Sequence, residues 1–263
     1  MSAIKVLELH EIEELRQVVR LFGGIWGVNP PPVTIELLRA LAHSGNYVAG
    51  AYEGDRLVGA SVAFLGMPAG RVLHSHITGA QAAGHGVGLA LKRHQREWAL
   101  ARGITRVTWT FDPLVRRNAH FNLAKLGARP EEYLTAFYGP MEDAINAGDE
   151  TDRMLAVWRL DAPHVVAAAR DEACPVAVPP DAVVGLESNQ GRPVPGRTDA
   201  DTVLVAVPPD IEAMRRRDPG AAKAWRYALR DTLGGLLATG AKVTGFHDKT
   251  YYVIDRSQAG TTE

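Results

Sequence analysis

Gly84, Gly86 and Gly88 alternate with other residues just before a run of helical periodicity, an arrangement suited to holding phosphate. The first N–H groups of a helix lack partners inside it, and the aligned peptide dipoles leave partial positive charge there. Glycine carries no Cβ and tolerates positive φ, so Ala83-Gly84-His85-Gly86-Val87-Gly88 lets backbone amides approach a pyrophosphate. The segment is not a P-loop, because no Gly-Lys-Ser/Thr follows the glycines. Nor is it a dinucleotide fingerprint: the spacing is Gly-x-Gly-x-Gly, and the preceding β-like run ends near Gly79, too early for a tight strand-to-helix turn. On that run His74 and His76 share one face by alternation, with Ser75 opposite. Imidazole titrates near neutral pH and can accept a proton directly or through water. No third ligand matches the two histidines, so no metal is expected.

These residues need elements to position them, and the periodicities define a set. Residues 4–10 form a first strand, and 11–27 an amphipathic helix ending in glycine-rich sequence. Pro30-Pro31-Pro32 is a rigid break before a helix over 33–46, which Gly45-Asn46 stops. Residues 47–67 are two strands joined by a hairpin turn at Glu53-Gly54-Asp55. After the histidine strand and the glycine loop, a helix starts at Val87 with Val87, Leu91 and Trp98 on its apolar stripe. Lys92, Arg93 and Arg96 lie off that stripe, and Gly103 ends the helix. Residues 104–113 are a fifth strand, 117–128 a helix, and 131–139 and 153–160 further strands. The order gives an α/β (α+β) fold, a mixed sheet flanked by helices.

The region resembles the GNAT acyltransferase superfamily, whose acyl-CoA loop follows Gln/Arg-x-x-Gly-x-Gly/Ala between the fourth strand and third helix. Residues 83–88 align with that pattern, and Ala83 departs from it at the first position. Residues 104–113 match the fifth strand, and Asn118-Ala119 followed by Lys125-Leu126-Gly127 matches the next helix. In particular the chain looks like a branch with WTFDP and RNAHFN-x-x-KLGA segments, and the likeness covers roughly residues 1–160. The resemblance implies a mostly antiparallel sheet with a splay between the fourth and fifth strands that receives pantetheine. It implies acyl-CoA contacts at Ile77, Thr78, Gly79, Gly84, His85, Gly86, Val87, Gly88, Leu89, Asn118 and Phe121. The activity it implies is transfer of an acyl group, acetyl or succinyl among the donors, to the amine of a small metabolite or amino acid.

Such transfer requires deprotonation of the amine, polarisation of the thioester carbonyl and help for the leaving thiolate. His76 is the first candidate base, with a hydrogen-bonded histidine packed beside the sheet as the alternative. Asp112, at the end of the fifth strand, is the second; it would orient or relieve an ammonium, or else cap the turn into Leu114. Many family members place a Tyr where this chain has Leu123, so Tyr138, with Tyr133 as its rival, is the candidate acid. Arg117 and Arg153 are candidates to hold a carboxylate or phosphate; a solvated Arg117 and a structural ion pair of Arg153 with Asp152 or a neighbour are the alternatives. The acceptor pocket is expected from residues 22–45 and 130–150.

Composition bounds the rest. At 263 residues and 46% apolar content the chain can bury a substantial core, and 29 Lys plus Arg against 30 Asp plus Glu gives no field that selects nucleic acid. Cys174 is the single cysteine, which excludes an intrachain disulfide and a cysteine-rich zinc site. No secretory signal and no apolar run of about 18 residues is present, so a cytoplasmic protein without membrane contact is expected. The domains are expected as 1–160, a linker and irregular segment over 161–200, and a C-terminal strand-helix-strand segment over 201–263 resembling half a GNAT domain. No glycine loop opens its helices, so a lid or structural role is expected there, and a homodimer contact remains open. Arg215-Arg216-Arg217 is expected as a solvated helix face. A malonyl-type acyl-CoA decarboxylase and a non-catalytic CoA-binding protein are the alternative functions.

Overall fold

Apolar residues at helical spacing, with local caps, start the fold. In α1 (Ile12–Trp26), Leu15, Val18, Leu21 and Phe22 are buried. Glu11 and Glu14 form a capping box at its start, and Gly27 ends it at φ 63°. Thr34 caps α2 (Ile35–His43) by accepting from the Leu37 amide at 3.2 Å. The computed structural model describes residues 4–81, 86–140, 148–172 and 175–257. It divides into two units, Met1–Trp109 and Thr110–Glu263.

In the first unit, β1 (Ile4–Glu8), β2 (Tyr47–Glu53), β3 (Arg56–Gly66) and β4 (Val72–Ala80) pair antiparallel in sequence order. Gly54, at φ 61°, turns the β2–β3 hairpin as its Glu-Gly-Asp sequence requires. β5 (Arg106–Phe111), whose last residues belong to the second unit, pairs parallel with β4 over Val72–His74 and Arg106–Thr108. β4 continues to Ala80 against β3, and its register slips on the way: Val62 faces Ile77 but Ala63 faces Ser75, so His76 is the extra residue. α1 and α2 bury Leu15, Phe22 and Leu38 with Leu9, Val48 and Val62 in one cluster. α3 (Val87–Leu100) packs Val87 and Leu91 with Ala51 and Val58 in another. Gly59 permits that approach, since a Cβ there would lie 2.5 Å from Val87 Cγ1 and 3.1 Å from the Gly79 carbonyl.

In the second unit, α4 (Arg116–Ala119) runs into a π-helical segment, His120–Lys125, and β6 (Arg129–Leu134) pairs antiparallel with β7 (Arg153–Arg159). The strand expected over 131–139 thus starts earlier and stops at Leu134, and Tyr138 lies in a turn. Residues 161–200, expected as linker, contain α5 (Pro163–Ala169), β8 (Val183–Asn189) and β9 (Arg192–Pro195). Their glycines serve tight pairing: Gln190 and Gly191 both take positive φ in a two-residue hairpin turn, and a Cβ on Gly196 would meet the Val184 carbonyl. β8 and β9 join β10 (Thr202–Ala206), β11 (Lys242–His247) and β12 (Tyr251–Asp255) in a sheet ordered β11-β12-β10-β8-β9. The helices are α6 (Ile211–Arg217), α7 (Pro219–Leu229), a π-helical segment Arg230–Gly234 and α8 (Gly235–Ala238). Asp210 and Asp218 cap α6 and α7. No helix among the described residues is long and apolar enough to cross a membrane.

Gly59→Ala should crowd α3 against the sheet and destabilise the protein by about 1–3 kcal/mol. A lower urea midpoint at unchanged secondary structure checks this.

Candidate functional site

The start of α3 is shaped for an anion. Gly86 stands at its N-cap in the left-handed region, φ 75°, with no side chain capping the helix and no acidic residue in the first turn. Gly86 is exposed and its carbonyl accepts from the Ala90 amide at 2.9 Å. The amides of Val87, Gly88 and Leu89 belong to the turn that has no intrahelical acceptor. Gly84 and His85, also expected at the coenzyme, lie outside the described residues.

On β4, His76 is exposed, and its ring lies 5.8 Å from that of Phe64. Desolvation by its surroundings pushes its imidazole below the ordinary value, a shift its exposure limits, so the ring is uncharged at neutral pH. His74 instead holds Thr108 Oγ1 with Nδ1 at 3.0 Å. Burial first, then the neighbouring His76 and Lys92, push His74 down. Ile77 packs on the α1–α2 cluster, Thr78 Oγ1 lies 2.7 Å from Ser61 Oγ, and Gly79 is buried where a Cβ would strike Trp26 and Ile25.

Lys92, expected off the apolar stripe, is only 5% exposed. Its Nζ donates to Ser75 Oγ at 2.9 Å and Gln95 Oε1 at 3.0 Å, and sits 4.0 Å from the Trp109 ring centre. Burial pushes its amine down to about 7. Lys92, Gln95 and Ala99 form a second inward stripe beside Val87, Leu91 and Trp98. The sequence signal was a polar pair at i, i+3, Lys92 and Gln95, beside the apolar stripe of α3.

The second unit gives Asp112 a different task from proton transfer. Its carboxylate is 8% exposed and receives Arg226 in bidentate fashion, at 3.0 and 2.9 Å, and Arg215 at 2.5 Å. It also caps the Leu114 amide at 2.9 Å. Burial pushes its acidity down, and the guanidinium groups of Arg226 and Arg215 outweigh that and hold the carboxyl well below the usual range. Arg215 and Arg226 also share Asp149 Oδ2, at 2.9 and 3.0 Å. Arg215 is therefore buried in an ion-pair cluster and not on a solvated face, because a buried carboxylate at the end of β5 requires cationic partners. Arg230 similarly binds Asp152 at 2.9 and 2.7 Å, and Glu150.

The remaining candidates lie around this cluster. Arg153 is buried, donates to the Asp152 carbonyl at 2.9 Å and stands 5.3 Å from the Tyr138 ring centre. The Asp152 carboxylate pairs with Arg230, and Arg153 bonds the Asp152 carbonyl. The Tyr138 side chain is exposed and its hydroxyl lies 2.9 Å from Thr110 Oγ1. Tyr133 is less free, since its hydroxyl donates to Asp152 at 2.8 Å. Leu123 is buried, and Asn118 is exposed on α4, with Phe121 half-buried beyond it. Arg117 is held by Glu212, one bond measuring 2.7 Å, which occupies the fork expected for a carboxylate or phosphate. In the first unit a shallow cleft of about 390 Å³ is lined by Gln17, Arg20, Arg56 and Gln81 among others, and His76 is not part of it.

The fold is that of the GNAT acyltransferases, a mixed and mostly antiparallel sheet flanked by helices. An N-acetyltransferase from Staphylococcus aureus Mu50 superposes on 61% of this chain and 100% of its own, with a TM-score of 0.51 and 16% identity. A Salmonella typhimurium protein, yncA, solved with its cofactor acetyl-CoA, matches 61% of this chain and 95% of its own, with a TM-score of 0.50 and 12% identity. No family model and no curated protein matches the sequence.

Asp112→Asn should leave two buried guanidinium groups short of charge and destabilise the protein by about 3–5 kcal/mol at pH 7. A carboxyl whose folded pKa is depressed stabilises above its unfolded value, near 4, and that stabilisation is lost as pH falls below it. Denaturation curves at pH 7 and below pH 4 should therefore show the gap between wild type and variant closing in acid.

Proposed function

We propose that the chain is an acyl-CoA dependent N-acyltransferase acting on the amine of a small metabolite or amino acid. The start of α3, with a left-handed glycine at its N-cap and no side-chain cap among the described residues, carries this reading. It supplies partial positive charge and free amides for a pyrophosphate without any acidic side chain to repel it. The resemblance of residues 83–88 to the acyl-CoA loop of the GNAT family, together with the GNAT-type fold, supports this reading. Acetyl and succinyl groups are the donors proposed first, with the backbone of residues 77–79 polarising the thioester carbonyl.

The amine attacks the thioester carbon, forming the C–N bond as the C–S bond breaks; its proton leaves to a base and the thiolate takes one up. His76 is the proposed base, since its imidazole is exposed on β4 and can accept a proton directly or through water. Asp112 is not proposed for it, because its oxygens already accept from two arginines. Tyr138, with an exposed hydroxyl, is the proposed donor to the thiolate. A thiolate is also a good enough leaving group that Leu123 in place of a family Tyr leaves the chemistry intact.

Acetyl-CoA or succinyl-CoA should raise the melting temperature, with about 2.7 kcal/mol of stabilisation at one hundred times Kd. Gly86→Glu, which places a carboxylate at the helix start, should remove that shift in a folded protein, and His76→Gln should lower kcat about 10²-fold or more. No shift with any CoA thioester would remove the basis of the proposal.

A further inference from the structure

Lys92 takes no part in the chemistry above, and its burial is costly. An ammonium out of water normally has a carboxylate beside it. Lys92 instead contacts two neutral oxygens and a Trp face. An apolar side chain would fill the same space, so the amine is explained by what it bonds. Even the uncharged amine has two N–H groups, matching its two acceptors, Ser75 Oγ and Gln95 Oε1.

Those acceptors begin a buried chain. Gln95 Nε2 donates to Ser61 Oγ at 3.3 Å, and Ser61 Oγ lies 2.7 Å from Thr78 Oγ1. Ser61, Ser75, Lys92 and Gln95 are each no more than 5% exposed. The chain therefore crosses from α3 to β3 and reaches β4 at two points, Ser75 and Thr78. Between those points lies the slipped register, where His76 is the residue without an opposite partner on β3. A slipped strand has lost part of its ladder and needs another constraint to fix the direction of its side chains and amides.

We infer that Lys92 is a positioning residue: through Ser75, and through Gln95, Ser61 and Thr78, it clamps β4 on both sides of the slip. The clamp fixes the His76 imidazole and the amides of residues 77–79. This inference rests on the acyl-transfer reading, in which that imidazole and those amides do the work.

The test compares wild type with Lys92→Met and, as a milder break in the same chain, Ser61→Ala. Steady-state kinetics with acetyl-CoA and an accepted amine are measured below each melting temperature, together with the His76 imidazole NMR signal, assigned through His76→Ala. A misplacement of about 1 Å costs on the order of 10²-fold, so kcat should fall about that much while the KM for acetyl-CoA stays within about threefold, and the His76 signal should move. A lower melting temperature with kcat and the His76 signal both unchanged would reduce Lys92 to a packing residue and overturn the inference. Should Lys92→Met fail to fold, Ser61→Ala decides by the same criteria. Should wild type turn over no acyl-CoA, the acyl-transfer reading fails by itself; a fixed His76 signal then overturns the clamp and a displaced one retains it.

Discussion

The first amides of a helix must find partners outside it, and the first turn of α3 presents such amides at an exposed glycine, Gly86. The parallel β4–β5 ladder covers Val72–His74, after which β4 continues to Ala80 against β3. α3 then starts at its N-cap Gly86 with no side-chain cap among the described residues. Free donors of this kind are tolerated only at a surface that a ligand or water can reach. The surrounding packing holds them in place: Gly59 lets Val87 close on the sheet, Gly79 sits under Trp26, and the α1–α2 cluster supports Ile77 from the other face.

The second unit solves a different problem, a buried acid at the end of β5. Asp112 cannot be desolvated alone, and two arginines from α6 and α7 answer it. The bidentate fork of Arg226 admits few geometries, so it fixes α7 against the β5 end more sharply than apolar contact would. Tyr252 adds a hydroxyl bond to the Pro113 carbonyl at 2.7 Å. The C-terminal residues are thereby fastened to the same strand end where a sequence reading puts catalysis.

Features decided within a few residues were legible in the sequence. The α1 stripe, the Gly54 hairpin, the helix at Val87 and the strand at 106–111 all follow from periodicity and turn residues. The β8–β9 hairpin was missed because Pro193, Pro195 and the flanking glycines read as linker, although they sit at an edge strand and a two-residue turn. In the sequence Lys92 falls off the apolar stripe and Arg215 reads as part of a solvated face, because charge is usually outside. What buries them is a partner far away in the sequence: Ser75 for Lys92, Asp112 and Asp149 for Arg215. Spacing along one element cannot register such a partner. The same limit applies to Arg117, whose partner in the structure is Glu212.

The most direct measurement is a crystal structure of the protein grown with acetyl-CoA. The account predicts the pyrophosphate on the backbone amides that open α3 and the thioester carbonyl against the amides at the end of β4. Acetyl-CoA bound elsewhere, or absent at saturating concentration with that helix start accessible, would contradict it.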